Sequence, residues 1–375
     1  MASVPEIILD NPFRVLGLYA NSSYREIVAS ISKATKFMEV DRKVDYPLDL
    51  TMVKNLNVKS SLNHSLENLD NALALLSNSE ERLKYAQFWF LRMTPLDDKA
   101  FNVLFAGEPN NALSVWNKED NLSSLQNRMI LYFWKGDFKP ALQKAEQIYK
   151  LFPDEFLKAV DSKGILVKSS ADLVQSFIDT LVKCQPPSEL LDYIPTPFLA
   201  DFIMPAISEG AITKINGAIQ DAKDQLDILN NDGAAAVSQA FYNLGIGGKL
   251  LEDTKDEYHL LIRVSSSDNP RLQLVSDSLA NMLYECSIDE YNIRKLSPDY
   301  SVNLLKNALT LCNNSVDKEE INNKIVLFQK KAGKLQHNQS KDDQSSRIQD
   351  PSGILFLFFI ILIWAVLAIG RSGCY

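Results

Sequence analysis

The sequence contains few of the residues from which metal centres and disulfide scaffolds are built. Its 375 residues include four cysteines and three histidines. Disulfide-stabilised domains are small and far richer in cysteine, and a structural zinc site needs closely paired Cys or His ligands. We therefore expect free thiols, no metal site and no cofactor.

Positive charge is also scarce. The chain carries 39 Lys and Arg residues against 47 Asp and Glu residues, which gives a net charge of -8. Surfaces that bind nucleic acid are basic, so this balance argues against a nucleic-acid partner.

Catalytic motifs are missing as well. No serine lies in a nucleophile elbow, and the glycine-rich run Gly245–Lys249 lacks the first glycine and the final Ser or Thr of a phosphate-binding loop. We interpret that run as a turn between helices. The sequence thus predicts that the protein is not an enzyme.

One long apolar run lies near the C-terminus. Ile354–Ile369 comprises 16 consecutive apolar residues, and with Ser352, Gly353 and Gly370 the uncharged stretch reaches 19. As a helix this stretch would measure roughly 28 Å, close to the about 30 Å of a bilayer core. We predict one transmembrane helix over 353–370; a buried core helix or an oligomer seam is the alternative. The predicted membrane-contacting residues include Ile354, Leu355, Phe356, Phe358, Phe359, Trp364 and Ile369.

The residues around this run indicate its orientation. One basic residue, Arg371, follows it, whereas the upstream basic residues are Lys330, Lys331, Lys334, Lys341 and Arg347. Positive charge favours the cytoplasmic side, so we expect a single-pass C-terminal tail anchor with the bulk of the chain in the cytoplasm. The polar stretch 334–352 has no aromatic residue and predicts a flexible linker.

Helical periodicity dominates the remaining chain. Leu142, Ala145, Ile148 and Tyr149 recur at spacings of three and four, which predicts one apolar helix face. A single short strand candidate occurs, at Gly164–Lys168. We predict an all-α fold.

The N-terminal quarter has residues typical of helix starts and ends. Ser23 with Glu26 has the capping-box spacing, Ser77 with Glu80 repeats it, and Gly17 predicts a helix end. We expect a first helix that ends at Leu16, a second over 24–40, a third over 62–76 and a fourth that begins after Ser77.

The same quarter contains two runs, 11–18 and 72–85, that match one family pattern. The first, Asn-Pro-Phe-Arg-Val-Leu-Gly-Leu, is followed by Ser23-x-x-Glu26; the residues in register in the second are Ala72, Leu76, Ser77, Glu80, Arg82 and Tyr85. Together they resemble the J domain of the DnaJ family over about residues 10–90. The resemblance implies two long antiparallel helices joined by a loop.

The J domain acts through one tripeptide, and the chain departs from the family there. A His-Pro-Asp in the loop between the long helices stimulates ATP hydrolysis by DnaK-type chaperones. No His-Pro-Asp occurs in this sequence, and the loop has Asp45-Tyr-Pro-Leu-Asp49 instead. The resemblance therefore implies a degenerate J domain that has the scaffold without the stimulating site.

A second resemblance follows in the middle of the chain. Tyr132, Gly136, Ala141 and Pro153 recur at the spacings of one tetratricopeptide repeat, and Gly107 with Ala112 repeats part of the pattern. Such helical stacks bind peptide segments, and a plain helical body without a groove is the alternative. The candidate partner-binding residues are Tyr132, Phe133 and Trp134.

These observations predict five regions and one leading function. The regions are a J-domain-like helical module (10–93), a tetratricopeptide-like segment (97–185), a helical C-terminal domain (186–333), a linker (334–352) and an anchor (353–370). The leading hypothesis is a membrane-tethered scaffold or chaperone-like adaptor for a cytoplasmic protein partner. The alternatives are a genuine DnaJ-type co-chaperone that recruits a DnaK-type chaperone, and a membrane effector whose anchors oligomerise.

Overall fold

The computed structural model describes residues 4–40, 46–50, 56, 62, 65–161, 164–194 and 196–342. Within these residues the protein is helical and has no β-strand, so the predicted all-α class is confirmed. The strand candidate Gly164–Lys168 is extended backbone outside any helix or sheet.

The helices follow one another in a simple order along the chain. The first ten are α1 (Glu6–Leu9), α2 (Pro12–Leu16), α3 (Tyr24–Glu39), α4 (Leu66–Ser77), α5 (Ser79–Ala86), α6 (Pro95–Phe105), α7 (Pro109–Trp116), α8 (Leu122–Lys135), α9 (Phe138–Leu151) and α10 (Pro153–Val160). The others in the described ranges are α11 (Ser170–Cys184), α12 (Pro187–Leu191), α13 (Pro197–Asp232), α14 (Gln239–Leu244), α15 (Ile246–Val264), α16 (Pro270–Arg294), α17 (Pro298–Leu311) and α18 (Ser315–Asp342). Short 3₁₀ turns occur at Pro47–Asp49 and Ala234–Ala236.

Packing divides the chain into two units. The first comprises Met1–Asp224 and Lys249–Leu279, and the second comprises Gln225–Gly248 and Ala280–Tyr375. The predicted modules 10–93 and 97–185 both lie in the first unit, whereas 186–333 contributes residues to both units.

Local capping explains where the N-terminal helices begin and end. Gly17 ends α2 in the left-handed conformation, and Ser23 with Glu26 forms the predicted capping box of α3. The second predicted box does not form, because Asn78 caps α5 by accepting from the amides of Glu80 and Glu81. The Ser77 hydroxyl instead donates to a carbonyl within α4, which begins at Leu66 and not at residue 62.

An irregular buried segment, 87–91, follows α5 and is held by two side chains of α8. The Gln126 amide nitrogen lies 3.0–3.1 Å from the carbonyl oxygens of Ala86, Gln87 and Trp89. The Asn127 side chain accepts from the amide of Leu91 and donates to its carbonyl, both at 2.8 Å. Buried backbone outside a helix needs such partners, so this pair of amides stabilises the segment.

Asp97, in α6, is a buried acid beside the segment 87–91. It accepts from the amides of Met93 and Thr94 at 2.9 and 2.8 Å, and its other oxygen accepts from Trp116 and Asn127 at 3.0 and 3.1 Å. The side chain is fully buried. Every one of these donors is uncharged, and those of Trp116 and Asn127 would be left buried without an acceptor if the carboxylate were lost.

Replacing Asp97 by asparagine is expected to destabilise the first unit by about 2–3 kcal/mol, because one oxygen acceptor becomes a donor facing other donors. Urea denaturation followed by tryptophan fluorescence measures the change, since Trp116 contacts Asp97. Asp98→Asn is the control, because that neighbour is half exposed and pairs only with Arg92. Equal losses in the two variants would contradict a special role for Asp97.

Helices α8 and α9 form the pair that resembles a tetratricopeptide repeat. Gly136 ends α8 with φ 74°, which favours glycine, and Ala141 is fully buried in α9. Leu151 ends α9 and Pro153 begins α10, so the proline marks the predicted boundary. The tight turn and the small residue permit the close antiparallel packing.

The predicted membrane anchor, 353–370, lies outside the described residues. In the part of the chain that the structure describes, no helix is both long enough and apolar enough to cross a membrane. Helix α18 continues to Asp342, so the first residues of the predicted linker are helical. No Pro or Gly occurs between Lys334 and Asp342 to end the helix there.

Candidate partner-binding groove

A groove on the surface of the first unit lies between α1, α5 and α11. Its volume is ≈ 680 Å³. Helix α1 and the residue that follows it contribute Glu6 and Asp10, and α5 contributes Glu81 and Lys84. The opposite wall is one face of α11.

Helix α11 places a polar face toward the groove because its apolar residues are used for the core. Leu173, Val174, Phe177, Ile178 and Leu181 are buried. The groove-lining positions include Asp172, Ser176, Asp179 and Lys183, at helical spacings of three and four. The sequence pattern therefore divides this helix cleanly between core and groove.

The first residue of that face, Asp172, also forms a capping box with Ser169 at the start of α11. Its carboxylate accepts from the backbone amide and the hydroxyl of Ser169, both at 2.8 Å. These hydrogen bonds, the backbone one first, lower the pKa of Asp172. Asp172 therefore keeps its negative charge to a lower pH than an ordinary aspartate.

The ionic contacts leave the groove with an excess of negative charge. Lys84 pairs with Glu81 at 3.2 Å, and Lys168 pairs with Glu80 at 3.0 Å. Within the described residues, four lining carboxylates form no salt bridge, namely Glu6, Asp10, Asp172 and Asp179. The charge of Lys168 still acts on Asp172, and Asp10 interacts with Arg14. Two of the three lining lysines thus form salt bridges, while most of the lining acids do not.

The groove also has an apolar part and one thiol. Ile7 is buried, and Tyr85 and Cys184 are half-buried. Burial raises the pKa of the Cys184 thiol, and a hydrogen bond with the backbone of Ile7 opposes this effect. A thiol with a raised pKa stays protonated, and a protonated thiol is a poor nucleophile.

Residues 46–50, in the segment between α3 and α4, contact the core of the first unit. Asp49 accepts from the Arg14 guanidinium at 2.9 Å, and the backbone carbonyl of Asp49 accepts from the same side chain at 3.0 Å. Leu48 and Leu50, on either side, are buried. The described part of this loop is therefore packed against the core by an ion pair and two leucines.

Arg14 itself is completely enclosed. Its guanidinium also donates to the carbonyl of Leu9 and lies 5.2 Å from the centre of the Trp134 ring. Burial lowers the pKa of Arg14, and the charge of Asp49 opposes this effect. Asp49 thus supplies a counter-charge to a buried cation.

The three predicted partner-binding aromatics do not form one exposed patch. Phe133 and Trp134 are fully buried, and Tyr132 is partly buried. Phe133 packs edge-on against Phe138 of α9, with the ring centres 5.2 Å apart. Phe133 and Trp134 therefore belong to the core and are not available to a partner, because α8 is covered on nearly all sides.

In the glycine-rich run, Gly245 connects α14 to α15, as the predicted turn between helices requires, and the residues after it begin α15. Glu290 accepts from the amides of Ile246 and Gly247 at 2.8 and 3.1 Å, and the Tyr300 hydroxyl accepts from Gly248 at 3.0 Å. Glu290 is fully buried and pairs with Arg294 at 2.7 Å. The anion at this helix N-terminus is thus a side chain of the protein itself.

Two of those glycines are required by packing. A Cβ at Gly245, which has φ 77°, would lie 2.1 Å from the Tyr300 hydroxyl oxygen. A Cβ at Gly247 would lie 2.5 Å from a methyl group of Leu304. The glycine spacing therefore reflects contacts with α17 and not room for a phosphate.

Among the described residues, no three His, Cys, Asp or Glu side chains are grouped so that they could hold a metal ion. Comparisons with family models, curated proteins and solved structures gave no match to this chain. The resemblances to a J domain and to a tetratricopeptide repeat therefore rest on the motifs alone.

Proposed function

We propose that the protein is a membrane-tethered interaction adaptor whose J-like module does not stimulate a DnaK-type ATPase. The observation that carries the proposal is the ion pair between Arg14 and Asp49 at 2.9 Å. In the J domain the tripeptide of this loop acts on the chaperone. Here the acid of the loop, Asp49, pairs with an arginine whose side chain has no exposed surface. The carboxylate of Asp49 therefore stabilises the module itself.

The groove supports the adaptor part of the proposal. It offers carboxylates, amides and a small apolar area on three rigid helices, without an activated nucleophile or a metal cluster among the described residues. A partner protein would bind there through side chains of one segment. The apolar run 353–370 would hold the complex at a membrane.

The full-length chain, reconstituted in liposomes, is expected to leave the single-turnover ATP hydrolysis rate of a DnaK-type chaperone unchanged. The physical reason is that the loop has no His-Pro-Asp and its Asp49 is engaged by Arg14. A DnaJ-type protein with an intact tripeptide is the positive control, and its histidine-to-glutamine variant is the negative one. Acceleration by the present chain would make it a genuine co-chaperone and would overturn the proposal.

The same liposomes test the tether. The chain should float with the lipid in a density gradient and stay bound at high salt and at alkaline pH. A variant with Phe358→Lys and Trp364→Lys should remain at the bottom, because each charge at the bilayer centre costs about 2.5–3.5 kcal/mol. Flotation of that variant would show that another part of the chain binds the lipid.

A further inference from the structure

We propose that the groove between α1, α5 and α11 binds a segment of a partner protein that carries several lysine or arginine residues around one apolar side chain. The inference rests on the proposed adaptor function and names the chemistry of the partner. It follows from the ionic contacts within the groove, from its apolar part and from its volume.

Charge complementarity is the first argument. Glu6 and Asp10 belong to α1 and the residue after it, and Asp172 and Asp179 belong to α11. Among the described residues none of the four forms a salt bridge, although Lys168 lies near enough to act on Asp172 and Arg14 interacts with Asp10. A bound segment with positive side chains would meet carboxylates on both walls. An acidic segment would be repelled from both, so the groove selects by the sign of charge.

The apolar part of the groove gives the second argument. Between the acidic walls lie the half-buried Tyr85 ring and Cys184, beside the buried Ile7. The volume of ≈ 680 Å³ falls within the about 300–1,000 Å³ typical of ligand-binding clefts. One apolar side chain of the partner fits this area while its basic neighbours reach the walls.

The same charges argue against the other macromolecules. Nucleic acid and anionic lipid headgroups both present phosphates, and phosphates would face the carboxylates of Asp10 and Asp179. Lys183 is the one lining lysine without an ion-pair partner in the described part of the chain. One free amine does not outweigh four carboxylates.

The test measures fluorescence anisotropy of labelled peptides mixed with the full-length chain in a non-ionic detergent, with detergent alone as the blank. The probe is a dodecapeptide with four lysines around one leucine and serine elsewhere. Its charge-reversed copy has glutamate in place of each lysine. The basic peptide should bind, the acidic copy should not, and binding should weaken as salt rises.

The variant Asp10→Asn/Asp179→Asn should weaken binding of the basic peptide about tenfold, because each exposed ion pair contributes up to about 1 kcal/mol. The control is Asp221→Asn/Asp224→Asn, which removes the same charge from exposed positions of α13. The control resembles the groove variant in its local contacts, because Gln175 donates to Asp179 and Gln220 donates to Asp224, both at 2.7 Å. The control pair should leave the affinity unchanged.

A variant with reversed charges distinguishes a change in specificity from a loss of folded protein. Asp10→Lys/Asp179→Lys should bind the acidic peptide in preference to the basic one, which a merely unfolded variant would not do. Asp172 should keep its charge at a lower pH than an ordinary aspartate, because its hydrogen bonds with Ser169 lower its pKa.

Three results would overturn the inference. They are equal binding of the two peptides, equal losses in the groove and control variants, and no binding of the basic peptide. None of these results bears on the ATPase or flotation measurements, so the adaptor function and the basic partner succeed or fail separately.

Discussion

Replacing Glu290 by glutamine is expected to destabilise the second unit by about 3–5 kcal/mol, the cost of breaking a buried ion pair. Arg294, 6 % exposed at its side chain, loses its partner. The new amide nitrogen would also face the N–H groups of Ile246 or Gly247, which now donate to the carboxylate. The second effect acts directly on the first turn of α15.

Hydrogen exchange followed by mass spectrometry measures this change where it occurs. Amides at the start of α15 and in α17 should exchange roughly a hundredfold faster, which corresponds to about 3 kcal/mol. Glu285→Gln is the control, since Glu285 is exposed on the same helix α16. If the Glu290 variant exchanges like the Glu285 variant, the carboxylate does not stabilise the helix start.

Replacing Asp49 by alanine should destabilise the first unit by about 3 kcal/mol, because it removes the carboxylate that lies 2.9 Å from the fully enclosed Arg14 guanidinium. Urea denaturation followed by tryptophan fluorescence reports the loss, since the Trp134 ring lies 5.2 Å from the Arg14 guanidinium. The surface pair Arg92–Asp98, half exposed on both sides, is the matched comparison. Asp98→Ala should cost less than about 1 kcal/mol.

A second variant separates the ion pair from the packing of the loop. Arg14→Met/Asp49→Ala removes both charges and keeps an apolar side chain beside Trp134. It should be more stable than Asp49→Ala alone, because the buried cation is removed together with its counter-charge. If the double variant were the less stable one, the carboxylate of Asp49 would not be what offsets the buried cation.

Features that depend on neighbours along the chain were largely predictable. Ser23 and Glu26 cap α3 and Gly17 ends α2 as expected. The cap of α5 was misassigned because Ser77 and Asn78 both have capping side chains, and only the position where α4 ends selects Asn78.

The aromatic run of α8 shows where local reasoning fails. Tyr132, Phe133 and Trp134 are consecutive, so on a helix they point in directions about 100° apart. Which of them reaches solvent depends on the helices around α8. The core covers Phe133 and Trp134, and the sequence gives no local sign of that.

The groove was missed for the same reason, although one of its walls was readable. The cap at Ser169 and the spacing of Asp172, Ser176 and Asp179 predict a helix with one polar face. Helix α5 precedes α11 by about 90 residues, and α1 lies still further from it along the chain. Nothing in the sequence of α11 indicates that these two helices would complete a concave surface with it.

By itself, the sequence determined the helical class, most helix ends and the position of the long apolar run, because these depend on residues within a few positions of one another. Only the tertiary structure decided what the charged side chains do. Asp49 meets Arg14 across 35 positions and Glu290 meets Ile246 across 44. Such contacts form because packing brings distant acids to buried donors, and residues that are far apart along the chain give no local sign of it.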